Sequence, residues 1–293
     1  MGLHLLLTAW TFDPLAIVGL LLLVGVYWLA VGPLAQRLGQ TVPRRRILNF
    51  ASGCVLLALV VLSPLDTLAR SYLFSAHAIQ LFLLITVVAP LLMAGLPEWL
   101  MWRILPTQAM REATRGLLFP IVAILAFNGV IMAWHIVPLF EASLHNSALY
   151  DLQLVCTLLA GMMDWWPLLT PLDGHTRLSN PFQLLYLGVE SIPLDLFGLV
   201  TLFSRGVFYP TYAHAPRVFG LSALTDQLIA GGIVAVPNNI VDFVLMSVVF
   251  FGWIASVERA QNERERAEAE AERAELEART LAREAEGEQA RQR

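Results

Sequence analysis

Seven stretches of this chain, each about twenty residues long, are almost wholly apolar. The run FSAHAIQLFLLITVVAPLLMAG at 74–95 shows the pattern plainly. A helix of that length crosses the ~30 Å hydrocarbon core of a bilayer and satisfies its own backbone N–H and C=O groups. The seven runs cover 14–32, 47–66, 72–95, 117–138, 149–171, 182–204 and 227–256. Only 14% of the residues are charged, against the ~25% of a soluble domain. The expected fold is therefore all-α: a polytopic membrane protein with seven transmembrane helices, solvated by lipid. Pro90, Pro120, Pro193 and Pro237 fall inside the runs and predict kinks whose freed backbone groups are met by neighbouring helices.

The charge that exists is segregated. Residues 258–293 hold 8 of the 19 Arg and 11 of the 23 acids. Ala, Glu and Arg are strong helix formers, and Glu–Arg pairs recur there at helical spacing. Two domains are expected: a seven-helix transmembrane domain over 1–256 and a charged cytoplasmic helix over 257–293, fraying at Gly287. Leu276 and Leu281 are almost its only large apolar residues, too few for a coiled-coil seam. The helix is either a solvated continuation of the last span or an arm that docks a partner.

Orientation follows from arginines in the short loops. Arg37, Arg44, Arg45 and Arg46 follow the first run, Arg103, Arg111 and Arg115 the third, and Arg177 the fifth. The other side has Arg70, Arg205 and Arg217. This asymmetry puts the N-terminus outside and the C-terminus in the cytoplasm. The N-terminus shows no basic region and no small-residue cleavage site, so no removable signal peptide is expected. Cys54 and Cys156 lie within apolar runs and read as core fillers.

With that topology, several scarce polar residues share one depth near the outer face. His77 and Gln80 lie there on the third run, His135 at the end of the fourth, Asp151 and Gln153 on the fifth, and Asp226 and Gln227 on the seventh. His145 and His214 occupy loops on that side. Ionisable groups in a membrane cost ~2.5–3.5 kcal/mol each, so each is paired or functional. The quieter readings are that His77 and His135 donate to backbone carbonyls and that Asp226 caps the start of its own helix. Deeper in lie Asn128, Asp164, Glu190, Asp195, Asn238, Asn239 and Asp242, a set that a proton or ion carrier would use together with Asp226.

No phosphate loop, GxSxG, HExxH or CxxC occurs. The chain is not expected to be an enzyme, and nothing in it suggests a nucleic-acid partner.

Four stretches taken together carry a resemblance: SAHAIQLFLLITVVAPLLMAGLP, AWHIVPLFEASLHNSALYDLQLVCTLLAGMMDWWPLL, RGVFYPTYA and LTDQLIAGGIVAVP. In order and spacing they resemble the CtaG-type cytochrome c oxidase assembly factors, over about 15–255. The resemblance implies a bacterial seven-helix membrane protein serving maturation of a haem–copper oxidase, at copper delivery, with oxidase subunits as partners. His77, Gln80, His135, Asp226 and Gln227 match the family's polar positions. Leu81, Tyr150 and Leu154 stand where that family carries further histidines. The resemblance thus implies copper as the metal, with His77, His135 and Asp226 as its contacts. The loss of three imidazoles leaves open a structural accessory subunit that no longer binds metal.

Overall fold

The computed structural model describes residues 4, 8–170 and 178–291. Arg177 of the orientation argument lies outside the described residues. The described residues are helical or irregular, with no strand among them. The helices α1–α13 follow one another along the chain.

The first span, α1 (Pro14–Arg37), starts from Asp13, whose carboxylate accepts the Leu15 N–H at 2.9 Å. A wide π turn at Ala30–Leu34 accommodates Pro33. The second span, α2 (Arg44–Leu62), is followed by a short helix, α3 (Pro64–Ser71), capped by Ser63. The third span, α4 (Phe74–Gly95), contains a second π turn at Leu83–Val88, just before Pro90. Proline has no N–H to give to the preceding turn. The Ile85 carbonyl in that turn instead accepts the Trp165 indole N–H at 2.8 Å.

Two short helices, α5 (Glu98–Ile104) and α6 (Gln108–Leu117), lead to α7 (Pro120–Trp134) and α8 (Val137–Leu144). The long α9 (Ser147–Leu169) packs against both α4 and α7 and is the hub of the bundle. Next come α10 (Asn180–Glu190) and α11 (Ile192–Leu202), which together make one span broken at Ser191 beside Pro193. Asn128 of α7 donates to the Glu190 carbonyl at 2.9 Å, satisfying the break. A short α12 (Pro210–His214) precedes α13 (Ala223–Arg291).

Among the described residues, six helices are each long and apolar enough to cross a membrane, and the expected seventh span is present if α6 and α7 count as one, bent by 63°. Pro120 starts a new helix rather than kinking an existing one, leaving α7 with 15 residues. The charged tail continues the last span, one of the two arrangements the sequence left open: its residues belong to α13, which qualifies as a span through an apolar stretch and remains helical through Gly287. Nothing between Ser256 and Glu258 stops the helix. The described chain divides into two compact units, Met1–Val244 and Leu245–Arg293, and every contact discussed below lies in the first.

Close helix crossings use glycine. A Cβ on Gly231 of α13 would lie 2.3 Å from the Leu202 backbone nitrogen of α11. One on Gly95 would lie 2.5 Å from the Phe50 Cβ of α2. Lipid gives no hydrophobic drive for helix association, so such close backbone contact supplies the packing.

A candidate two-histidine site with a buried polar network

His77 and Gln80 of α4 do share a face, and that face turns inward: both are fully buried. From them a chain of hydrogen bonds crosses four elements. Gln80 Nε2 donates to the Val60 carbonyl at 3.0 Å and to Asp66 Oδ1 at 3.1 Å. The amide has no other donor atom, so its Oε1 takes the Tyr150 O–H at 2.6 Å. The tyrosine proton is thereby committed, and Tyr150 can only accept from His77 Nδ1, 3.0 Å away. His77 is therefore the Nδ1–H tautomer, with a lone pair on Nε2. The Gln153 amide reaches that nitrogen at 3.4 Å, while Gln153 Oε1 accepts from Ser143 at 2.8 Å.

His135 lies just past the end of α7, its ring centroid 5.6 Å from that of His77. Its Nδ1 donates to the Ile131 carbonyl at 2.7 Å. Its buried Nε2 has no partner. Buried with its Nε2 unpartnered and no carboxylate beside it among the described residues, the ring is held neutral. Phe140 stacks on His135 and meets His77 edge-on, and Phe74 and Phe197 close the surroundings. The result is two neutral imidazoles, each with an Nε2 lone pair, inside an aromatic enclosure.

Asp226 is placed differently. Its carboxylate accepts the backbone N–H groups of Phe74 at 2.7 Å and Ser75 at 3.2 Å, and the Ser75 hydroxyl as well. It is a helix cap, as the quieter reading held, but it caps α4 rather than its own helix. Gln227 fastens the loop before α12 by accepting from Phe208 N at 2.7 Å and donating to Ser204 and Gly206. Asp151 joins the cluster through Arg70. His145 and His214 stand apart and exposed, each bonded to a carbonyl of its own helix. Among the described residues no group of three His, Cys, Asp or Glu is placed to hold a metal.

The residues that sequence reasoning passed over are Asp66 and Arg70. The Arg70 guanidinium bonds Asp66 at 2.8 Å, bonds Asp151, and lies 4.3 Å over the Tyr150 ring. Burial alone would lower the guanidinium, but Asp66 and Asp151 outweigh it and hold the charge. Burial pushes the Asp66 carboxyl up, against the opposing pull of Arg70 and Gln80. The available signal was a lone arginine in a loop otherwise free of cations, four residues after an aspartate, which is the i,i+4 spacing of a helical ion pair.

The deeper polar residues form a second group. Tyr186 donates to Asp164 at 2.8 Å, Asn238 to Asp242 at 3.0 Å and Asn239 to Asp195 at 2.8 Å. Asp164, Glu190, Asn238 and Asp242 line one small cavity.

No curated protein and no solved structure shows significant similarity to the chain. A family model does: the one described as cytochrome c oxidase caa3 assembly factor (Caa3_CtaG) matches residues 25–256. That match takes in the histidine pair, the Arg70 cluster and most of the candidate spans, and by it the chain belongs to the Caa3_CtaG family of cytochrome c oxidase caa3 assembly factors.

Proposed function

We propose that this multi-pass membrane protein serves oxidase assembly, without catalysis, by holding a copper ion as cargo between His77 and His135 and passing it to an oxidase subunit. The observation that carries the reading is the pair of adjacent, neutral, buried imidazoles, one with a wholly unpartnered Nε2. Neutral imidazole nitrogen is a good copper ligand. With only two nitrogens and no carboxylate beside them, a singly charged ion suits the enclosure better than a doubly charged one, because the cost of burying charge rises steeply with its size. Tyr150 orients His77 from behind, at Nδ1, as partners of metal-binding histidines do, while the Gln153 amide lies on the Nε2 side and yields that lone pair to the ion. Asp226 acts at one remove, by fixing the start of α4. The arginine asymmetry supports an orientation with this site toward the outer face, and with the charged end of α13 in the cytoplasm as a docking arm.

The test is copper stoichiometry of the purified chain under reducing conditions. About one ion per chain, lost in the His77→Ala, His135→Ala double variant, supports the reading. A wild-type chain that takes up no copper at micromolar concentration overturns it.

A further inference from the structure

A second site lies outside the histidine pair. α1, α2 and α9 leave between them a side-opening groove of about 590 Å³. It runs along α1 from Leu15 to Leu23, along α2 at Leu57 and Val61, and along α9 from Ala148 to Leu158. Its walls are apolar except at one point. Asp151 lines the groove, its side chain is only 9% exposed, and one of its carboxylate oxygens, Oδ2, has no hydrogen-bond donor. The other oxygen is held by Arg70. The close neighbour of Asp151 on the α1 side is a second carboxyl, Asp13. Asp66 and Asp151 thus share the single Arg70 guanidinium, two carboxylates to one cation, with Asp13 beside Asp151.

We propose that the groove binds a phospholipid with a primary ammonium headgroup, the phosphatidylethanolamine type, one acyl chain lying between α1 and α9 and the ammonium donating to Asp151 Oδ2. Three features select this occupant. The excess of carboxylate calls for a cation. The orphan oxygen calls for a hydrogen-bond donor, which a primary ammonium has and a choline headgroup lacks. From Ala148 to Leu158 the groove extends ten residues along a helix, about 15 Å, which is half the ~30 Å hydrocarbon thickness. That is the depth of one leaflet, and a partner's spanning helix would need twice as much. Lipid in this position packs α1, whose apolar stretch buries little against the rest of the protein.

The experiment offers the purified full chain an equimolar mixture of ethanolamine, choline and glycerol phospholipids with identical acyl chains. Lipids retained are counted by native mass spectrometry. The expected result is about tenfold preference for the ethanolamine lipid over the other two, the scale of one charge-assisted hydrogen bond. Asp151→Asn brings the preference to about onefold. Gly19→Leu, placed where a Cβ meets nothing within 4 Å, fills the groove, lowers retention of the ethanolamine lipid, and leaves Asp151 and Arg70 intact. Equal retention of the three lipids by the wild type overturns the proposal. So does preference for the glycerol lipid, which would assign the headgroup to Arg70, and so does undiminished ethanolamine binding in a folded Gly19→Leu chain.

Discussion

The carboxylate of Asp226 receives the backbone N–H of Phe74 at 2.7 Å, although 152 residues separate them. One side chain of the last span thereby closes the open end of α4, three residues before His77. A helix start in a membrane has free N–H groups and no water to meet them, and a carboxylate there also complements the positive end of the helix dipole.

Asp226→Ala is expected to lower stability by about 2 kcal/mol, since two buried amides lose their acceptor. Thermal unfolding in detergent measures it. Asp226→Asn keeps one acceptor oxygen and is expected to recover part of that loss.

Tyr150→Phe removes the hydroxyl that joins Gln80 to His77. Two buried groups are stranded, and a loss of about 2 kcal/mol is expected. Copper affinity is expected to fall about 10- to 100-fold, the range for a partner that orients a ligating histidine. Isothermal titration against Tyr150→Phe and wild type separates the two effects.

Acid is expected to destabilise the chain through His135. Its Nε2 is buried with no partner, so the folded chain resists a proton there that the unfolded chain accepts freely. Stability is therefore expected to fall as the pH drops below the ordinary histidine range, about 6.5. Melting temperature against pH in wild type and His135→Gln checks this; the variant is expected to show a shallower fall.

Gly231→Ala is expected to cost about 2 kcal/mol, because its new Cβ would meet the Leu202 backbone, which has no rotamer to change. Gly25→Ala makes no contact within 4 Å and is expected to be neutral or to stabilise α1 by under about 1 kcal/mol. Denaturant titration of both variants measures the difference.

Hydrophobic runs made the spans legible, since bilayer thickness and backbone satisfaction leave an apolar stretch few alternatives. The grouping of His77, His135, Gln80 and Gln153 at one depth was legible too, because equal depth follows from counting along helices. What counting cannot supply is azimuth. Asp226 has the right depth for the histidine pair yet faces the start of α4, and Asp66 and Arg70 sit on a short helix that no span-length pattern marks. The break at Pro120 was missed for a related reason. A proline in an apolar run reads as a kink, whereas Phe119 is extended and Pro120 opens a new helix. The change of composition at 257 marks where the apolar part of α13 gives way to its charged part, and the helix is continuous across it, because Ala, Glu and Arg keep the chain helical.

The π turn in α4 has a consequence for chain length. Such a turn fits one more residue than an α-helical turn, so the helix faces before and after it are offset by about 100°. Deleting a single residue between Leu83 and Val88 would let the hydrogen bonds close up into an uninterrupted α-helix, with both halves keeping the faces they have now. The half carrying His77 and Gln80 would still meet Tyr150. The same deletion in a regular turn of α4 would rotate one half against the other by about 100°, so the wide turn is the place in this span where a change of chain length is best absorbed.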